Sequence, residues 1–446
     1  MRPCPSAMIR LAGLLFGTIL IMLAGSATAR RAVVLEIDGA IGPAVADYVV
    51  RELATIRSDD AALVVVRIDT PGGLDTSMRE IIRALLGSPV PVAVYVAPSS
   101  ARAASAGTYI LYAAAIAAMA PGTNLGAATP IRLGQGDEAA GRARTNEGLA
   151  RPSQDTESRK MVNDAVAYIR SLAELHGRNA DWAAEAVREA VSLPASEALK
   201  LRVIDVIADD VPDLLRKIDG RMVIVAGRPV RIETAGVDIT TTAPDWRTRL
   251  LAVITNPNVA YLLMLLGAYG LIFELANPGA VLPGLIGGIS FLVALYALNL
   301  LPVDYAGVGL LLLGVALMVA EAFIGSFGVI GIAGIAAFAI GSIIMFHPLA
   351  EGFGLSIPVV VAAVIMSGAL LVLVLGMLLR SRRKRVITGS EAMIGAEGET
   401  VEWRAEGGKI RVMGEIWNAR SAGPLLPGTR IKVIARKGLV LTVEPM

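Results

Sequence analysis

A serine surrounded by small residues is the feature of this sequence best suited to chemistry. Ser105 lies in residues 103–110, which read Ala-Ala-Ser-Ala-Gly-Thr-Tyr-Ile, and residues 70–73 upstream read Thr-Pro-Gly-Gly. A serine at a turn into a helix can act as a nucleophile, and the backbone N–H groups of a Gly-Gly turn can stabilise an oxyanion. Together the two segments predict acyl transfer. From residue types alone, close packing at the start of a helix is an equally good interpretation of Ser105.

A serine nucleophile needs a base, and the usual base is histidine. The chain has two histidines, His176 near the end of a predicted helix and His347 at the end of an apolar stretch. Neither is a good candidate for the base of a Ser-His-Asp triad. A desolvated lysine amine can accept the serine proton instead. Lys160 is the favoured candidate, because it opens an amphipathic helix directly after a polar loop. Residues 31–242 contain three lysines in all: Lys160, Lys200 and Lys217.

The segment that must position these residues alternates between two patterns. Short β-branched runs, such as residues 33–37, 63–68 and 92–96, are separated by helical stretches up to about residue 242. This alternation predicts an α/β domain with a largely parallel sheet. Residues 132–159 are polar without an apolar period, which predicts a mobile surface loop, and a helix is expected from about Ser158 to His176.

The composition indicates that part of the chain is in a membrane. The 446 residues are 54% hydrophobic, and the mean hydropathy is +0.62. Residues 1–29 carry Arg2 and Arg10, then an apolar run, then a small-residue end, which predicts a signal peptide cleaved near Arg30. An uncleaved anchor is the alternative. The single cysteine, Cys4, lies in this segment, and a net charge of +2 lacks the basic footprint of a nucleic-acid binder.

Five apolar stretches follow, and they predict a membrane region with five spans. Five basic residues between Arg380 and Arg385 directly follow the last stretch, which marks a cytoplasmic membrane edge. An odd number of spans then places the N-terminal domain outside the cytoplasm. The predicted localisation is a multi-pass inner-membrane protein with a cytoplasmic C-terminus. The stretches are residues 259–274, 281–300, 308–323, 328–346 and 357–379.

The membrane region contains an internal repeat. Three glycines and one glutamate recur at an offset of 47 residues, which predicts two parallel copies of a helix, Glu, Gly-rich loop and helix. Glu274 and Glu321 either line a polar interface or lie at the level of the lipid headgroups. The matched residues are Gly267, Glu274, Gly284 and Gly287 in the first copy and Gly314, Glu321, Gly331 and Gly334 in the second.

The C-terminal segment predicts a small barrel. Residues 398–403, 409–412, 415–419, 429–435 and 439–443 read as short strands separated by Gly and Pro turns, which is typical of the OB type. Trp403 and Trp417 are expected to belong to the barrel core. A protein-binding adaptor is favoured over an RNA binder.

The longer motifs decide the interpretation of Ser105. They resemble the NfeD family of membrane-bound, ClpP-class serine proteases, close to the signal peptide peptidase A type, and the resemblance covers the whole mature chain. The chain departs from the usual family pattern at Ser100 and Ala115. The matching segments are residues 95–98 (Tyr-Val-Ala-Pro), 103–111, 116–128, 69–73 (Asp-Thr-Pro-Gly-Gly), 163–170 (Asn-Asp-Ala-Val-Ala-Tyr-Ile-Arg) and 177–179 (Gly-Arg-Asn).

The resemblance implies a Ser-Lys dyad, with Ser105 as nucleophile and Lys160 as general base. It implies an oxyanion hole formed by the N–H groups of Gly73 and Ala106, with Gly72 shaping the turn. It also implies cleavage of hydrophobic segments of membrane-associated proteins, stomatin-like partners, and a dimer or higher oligomer. No cofactor or metal and no nucleic acid are expected.

The implied fold class has three parts. An α/β ClpP/crotonase-like protease domain is followed by an all-α multi-span membrane region and a small all-β OB-like barrel. The predicted boundaries are 1–29 for the signal peptide, 30–245 for the protease domain, 246–380 for the membrane region and 388–446 for the barrel. Two other functions stay open. A crotonase-type acyl-CoA enzyme is disfavoured by export, whereas a non-proteolytic scaffold for stomatin- or flotillin-like proteins is harder to exclude.

Overall fold

The computed structural model describes residues 30–130, 152–326, 328–346, 353–382, 392–404 and 407–446. The predicted signal peptide, most of the predicted polar loop and most of the basic cluster lie outside the described residues. The chain divides into two compact units, Met1–Leu317 with Ile332–Ile365, and Met318–Gly331 with Met366–Met446.

A six-stranded parallel sheet forms the centre of the α/β domain, in the order β11-β1-β2-β3-β5-β8. Its inner strands are buried on both faces, so their sequences are continuous apolar runs rather than alternating ones. The α/β prediction is therefore confirmed. The strands of this domain are β1 (Arg31–Asp38), β2 (Ala61–Asp69), β3 (Val92–Val96), β4 (Arg102–Ala104), β5 (Ile116–Met119), β6 (Asn124–Gly126), β7 (Ser192–Pro194), β8 (Val206–Ile207), β9 (Met222–Val225), β10 (Arg228–Arg231) and β11 (Asp238–Thr242).

The sheet has a hydrophobic core on each face. Val64 and Val66 of β2 belong to one core, whereas Leu63 and Val65 belong to the other, as the two-residue period of a strand requires. A second sheet, in the order β4-β6-β7, lies beside it, and β9 and β10 form a hairpin. The helices are α1 (Pro43–Thr55), α2 (Asp75–Leu86), α3 (Ala106–Ala113), α4 (Pro152–Leu175), α5 (Ala180–Arg188), α6 (Ala195–Lys200), α7 (Val211–Ile218) and α8 (Trp246–Ile254).

Helix α4 begins earlier than the sequence pattern predicts. It starts at Pro152, not at Ser158, so the predicted loop ends before residue 152 and not at residue 159. Pro152 occupies the first helical position, where its missing N–H costs nothing. These turns carry polar residues without an apolar period, which is why the pattern resembles a loop.

Five apolar helices follow at the positions that the sequence predicts. Four are long and apolar enough to cross a membrane. The other, α12, has 17 residues and is at the short end of the range for a span. The number of spans and the orientation stay predictions. The helices are α9 (Pro257–Ala276), α10 (Leu282–Leu300), α11 (Tyr305–Ile324), α12 (Val329–Met345) and α13 (Ile357–Arg382).

Two residues of the predicted repeat make equivalent contacts with a neighbouring helix. A Cβ atom on Gly267 of α9 would lie closer than 3.0 Å to Phe291 of α10. The same holds for Gly314 of α11 against Phe338 of α12, and both residues of this second pair follow those of the first by 47 positions. Small residues let the backbones of paired helices approach closely. In each hairpin an equivalent glycine therefore lies at the contact between the two helices.

Glu321 has a structural role that the sequence did not reveal. Its side chain is 1% exposed, and its Oε1 accepts a hydrogen bond from the N–H of Gly328 at 2.9 Å. Its Oε2 accepts from the N–H of Gly331 at 3.2 Å and from the hydroxyl of Ser326. A carboxylate there satisfies the unpaired N–H groups at the start of α12 and is favoured by the helix dipole. Glu321 therefore caps the second helix of its own hairpin.

Glu274, the equivalent residue of the first copy, is less well satisfied. Its Oε1 accepts from the N–H of Gly279 at 3.2 Å, whereas its buried Oε2 has no hydrogen-bond partner among the described residues. Gly279 stands where the second copy has Ser326, so the first copy lacks the hydroxyl donor.

Replacing Glu321 by alanine should therefore destabilise the membrane region more than replacing Glu274. We expect Glu321→Ala to lower the free energy of unfolding by about 2–4 kcal/mol, because buried donors lose a charged acceptor. Glu321→Gln should cost less, since one acceptor oxygen remains. Thermal unfolding of the full chain in detergent measures both, with Glu274→Ala as the control. Equal losses for the two alanine variants would contradict the capping role.

The C-terminal strands close into a five-stranded barrel in the order β12-β13-β14-β16-β15. All five predicted strands are present, so the barrel prediction is confirmed. Trp403 and Trp417 pack against the barrel core as expected, and the guanidinium of Arg436 lies 4.9 Å from the ring centroid of Trp417. The strands are β12 (Glu397–Arg404), β13 (Gly407–Val412), β14 (Glu415–Arg420), β15 (Arg430–Lys437) and β16 (Val440–Pro445).

Candidate active site

Ser105 occupies a sharp turn between β4 and α3. Its backbone has φ 50° and ψ −116°, a combination that residues with a Cβ atom rarely adopt and that costs on the order of 1–3 kcal/mol. Its N–H donates to the carbonyl oxygen of Gly126 at 3.0 Å, which fixes the turn. A serine on a strained strand-to-helix turn is the arrangement of a nucleophile elbow. Because a close-packed helix start requires no strain, the geometry favours the nucleophile.

The Gly-Gly turn lies directly against this serine. Gly72 has φ +127°, and a Cβ atom there would lie 2.7 Å from Cβ and 3.2 Å from Oγ of Ser105. The N–H of Gly72 donates to Oγ1 of Thr70 at 3.1 Å, and its carbonyl oxygen accepts from the N–H of Ile41 at 2.8 Å. Gly72 therefore shapes the turn, and its N–H is already occupied.

Two backbone donors at the site have no hydrogen-bond acceptor among the residues that the structure describes. The N–H of Gly73 has no hydrogen-bond acceptor within the described part of the chain, although its neighbour Leu74 donates to Ile41. Ala106 is the first residue of α3, so its N–H has no acceptor within the helix, and the positive end of the helix dipole lies there. Gly73 and Ala106 line the same cleft as Ser105, and Ala106 is its neighbour in the chain.

Ser105 opens into a cleft of about 1450 Å³. Tyr109 and Ala128 line it together, and the hydroxyl of Tyr109 donates to the carbonyl oxygen of Ala128 at 3.1 Å. Burial raises the pKa of Tyr109, so its hydroxyl stays protonated and acts as a donor. Within the described residues, no group of three or more His, Cys, Asp or Glu side chains is placed to hold a metal ion.

One arginine of the cleft is firmly held. Nε of Arg79 contacts Asp75 at 2.8 Å and its Nη2 contacts Asp164 of α4 at 3.0 Å. Its guanidinium also lies 4.4 Å from the ring centroid of Tyr168, which stacks on Tyr109. These contacts attach α4 to the cleft.

Lys160 is not brought to Ser105 in this structure. Its side chain is exposed, and its ammonium has no ion pair or hydrogen bond among the described residues. At about 100° per residue, Lys160 lies about 180° around α4 from the buried Ile169 and well away from Ala165, which lines the cleft. The structure therefore brings together Ser105, Gly72, Gly73 and Ala106. A contact with Lys160 requires the first turns of α4 to rearrange.

His176 is a poor alternative base. It lines a separate small cavity of about 160 Å³, and its Nε2 lies 3.1 Å from the carbonyl oxygen of Ala113. Burial, together with the charge of Arg178, lowers its pKa to about 4. The imidazole is thus neutral near pH 7 but is not directed at Ser105.

The structure adds positioning residues that were not identified from the sequence. Oγ1 of Thr70 bonds both the N–H and the carbonyl of Gly72, and Thr70 is fully buried. Oγ1 of Thr108 donates to the carbonyl oxygen of Ala103 at 2.7 Å and accepts from the N–H of Gly126 at 3.1 Å. Thr70 lies in residues 69–73 and Thr108 in residues 103–111, two of the segments that match the family. A threonine next to a glycine-containing turn was the sequence feature that could have identified them.

Three family models match separate parts of the chain. The model described as "NfeD1b, N-terminal domain" matches residues 32–222. The "NfeD integral membrane domain" matches residues 258–377, and the "NfeD-like C-terminal, partner-binding domain" matches residues 390–445.

Named relatives match over most of the chain. A protein of Pyrococcus horikoshii named "Membrane-bound protease PH1510" is 35% identical over 437 residues, which cover 95% of this chain and 96% of the relative. The Bacillus subtilis "Membrane protein NfeD1b" is 26% identical over 80% of this chain and 76% of its own. A solved structure, "1510-N membrane protease specific for a stomatin homolog from Pyrococcus horikoshii", is 34% identical, covers 51% of this chain and 98% of its own, and has a TM-score of 0.41.

Proposed function

Because this chain belongs to the NfeD family, we propose that it is a membrane-bound serine endopeptidase with Ser105 as nucleophile and Lys160 as general base. The observation that carries the proposal is the strained backbone of Ser105 in the same cleft as Gly73, whose N–H has no acceptor among the described residues. The archaeal relative's name, a membrane-bound protease, supports peptide hydrolysis as the reaction.

In the proposed mechanism, Oγ of Ser105 attacks the carbonyl carbon of a peptide bond, and its proton passes to the amine of Lys160. The N–H groups of Gly73 and Ala106 stabilise the oxyanion of the tetrahedral intermediate. The leaving amine then takes the proton from Lys160, which leaves an acyl-enzyme on Ser105. Water attacks the ester with Lys160 again as the base, and the acid product is released.

Lys160 can act as a base only when its ammonium loses solvent, because desolvation disfavours the charged form. In the structure the side chain is exposed, so the proposal includes a rearrangement of the first turns of α4 when substrate binds.

Lys160→Ala should lower kcat/KM for peptide cleavage by about 10³-fold, the usual contribution of a general base. Lys200→Ala is the matched control, since Lys200 is also an exposed lysine on a helix and should keep full activity. Rates are measured from pH 6 to pH 10 with a quenched-fluorescence peptide. Full activity of Lys160→Ala would contradict the dyad.

The proposed substrates are apolar segments of membrane-associated proteins, including stomatin-like partners. Leu74, Met78 and Tyr109 give the cleft an apolar lining. The solved relative is described as specific for a stomatin homolog, and the C-terminal family model is described as partner-binding. The barrel is therefore the proposed docking domain for the partner.

Cleavage of a peptide library by the full chain in detergent tests the function directly. We expect cleavage beside apolar residues. A library that stays intact in the presence of well-folded protein would overturn the proposal.

A non-proteolytic scaffold is the second candidate, and the exposed position of Lys160 is the observation that favours it. A scaffold would bind a stomatin-like protein equally well with and without Ser105, and would leave it intact. Incubating that partner with the wild-type chain and with Ser105→Ala separates the two functions.

A further inference from the structure

Part of the cleft that contains Ser105 is formed by a membrane helix. Tyr296, Asn299 and residues 300–302, at the C-terminal end of α10, line the cleft together with Ser105 and Ala106. Helix α10 is itself one of the four helices long and apolar enough to cross a membrane. The α/β domain, residues 30–245, is called the catalytic domain below. It does not form the whole cleft by itself.

Helix α8 indicates where this cleft lies relative to the bilayer. Trp246, Leu250 and Val253 are 75%, 50% and 56% exposed, and their i, i+4, i+7 spacing places them on one face. Leu251, on another face, lines the cleft. An exposed apolar face with a Trp, directly before an apolar helix, is suited to the membrane interface.

Helix α8 is fixed to the catalytic domain. Asp245 caps it by accepting from the N–H of Thr248 at 2.9 Å. Arg51 of α1 holds the same carboxylate with two hydrogen bonds of 3.0 and 3.1 Å. A bidentate pair of this kind fixes orientation as well as distance, so the interfacial face of α8 and the cleft move together.

The pairing of α9 with α10 agrees with a cleft at the membrane surface. Helices α9 and α10 pack as a hairpin, and a Cβ atom on Gly270 would lie 2.8 Å from Cα of Gly287. The C-terminal end of α10 therefore returns to the side of the membrane at which α8 precedes α9. The cleft lies between the catalytic domain and that surface.

We propose that the end of α10 is a substrate-binding wall, on which Tyr296 and Asn299 bind an extended apolar segment of a membrane protein where it leaves the bilayer. The ring of Tyr296 is 55% exposed and offers an amphipathic contact for an apolar side chain. The amide of Asn299 has no hydrogen-bond partner among the described residues, and it can both donate to and accept from a peptide backbone. The inference rests on the proposed function, since the occupant is the substrate of Ser105.

Binding to the full chain in lipid nanodiscs tests this wall. The probe is a fluorescent ten-residue peptide with an apolar centre, and Kd is measured by anisotropy in the Ser105→Ala background. Tyr296→Ala should raise Kd about fivefold to tenfold and Asn299→Ala about threefold, as truncation of a contact residue does. Tyr305→Ala is the matched control. Tyr305 is also exposed, at 70%, but does not line the cleft.

A second measurement tests the position at the bilayer. The same ten residues are fused to a membrane-spanning helix, either directly or through a rigid helical spacer of about 30 Å. The direct fusion should bind, and the fusion with the spacer, which holds the ten residues away from the bilayer, should bind about tenfold more weakly.

Equal Kd values for Tyr296→Ala and Tyr305→Ala, or equal binding of the two fusions, would overturn the inference. Binding that depends on Tyr296, without any cleavage by the wild-type chain, would support the wall and overturn only the proposed peptidase.

Discussion

Replacing Ser105 by alanine should lower peptide cleavage by the full chain at least about 10⁴-fold and leave the fold intact. A serine nucleophile makes the bond on which every later step depends, so its loss leaves only the residual catalysis of the oxyanion hole and substrate binding. Alanine has the same Cβ atom as serine, so the φ of 50° is no more strained than before. Initial rates with a quenched-fluorescence peptide give the activity, and thermal unfolding gives the stability.

Ser100→Ala is the matched control for this variant. Ser100 also has a positive φ, of 77°, and its N–H donates to the carbonyl oxygen of Gly122 at 3.2 Å, so the two serines are in comparable turns. Ser100 does not line the cleft. We expect Ser100→Ala to keep full activity. Loss of activity in both variants would point to the turn rather than to the Ser105 hydroxyl, and activity in Ser105→Ala would exclude the acyl-enzyme.

The architecture could be predicted from the sequence because each part carries its own local signal. The apolar run of β3 predicts a strand buried on both faces, and such a strand belongs in a parallel sheet. The repeated glycines predicted two parallel copies of a helix, Glu, Gly-rich loop and helix, and Gly267 and Gly314 make equivalent close contacts in the structure. The barrel strands were predicted from turn residues and alternation.

The fine structure of the site depends on contacts between distant segments, which no local pattern encodes. The Gly-Gly turn is held by Ile41, from the loop after β1, and Ser105 is held by Gly126, from β6. The cleft wall at Tyr296 belongs to a segment that the pattern shows only as an apolar helix. Lys160 illustrates the same limit. Its neighbours in the sequence suggested a helix start, whereas the helix begins at Pro152 and directs Lys160 away from the core.

Replacing Gly72 by alanine should lower peptide cleavage about 10⁴-fold, nearly as much as loss of the nucleophile. The added Cβ atom would lie 2.7 Å from Cβ of Ser105, too close for both to stay in place, and the φ of +127° is unfavourable for alanine. A displaced nucleophile costs about 10²-fold, and a displaced oxyanion donor at Gly73 costs about 10²–10³-fold. Steady-state cleavage of the fluorogenic peptide measures the combined loss.

Gly122→Ala separates the steric effect on Ser105 from general backbone strain. Gly122 also has a positive φ, of +75°, but a Cβ atom there would meet nothing within 4 Å. It should therefore show the stability loss of a strained alanine while keeping its activity, whereas Gly72→Ala should lose activity beyond any stability loss. If the loss of activity in each variant is proportional to the fall in its unfolding temperature, the contact between Gly72 and Ser105 has no catalytic importance. A selective loss at Gly72 would mean that the oxyanion turn and the nucleophile must keep their mutual position for cleavage.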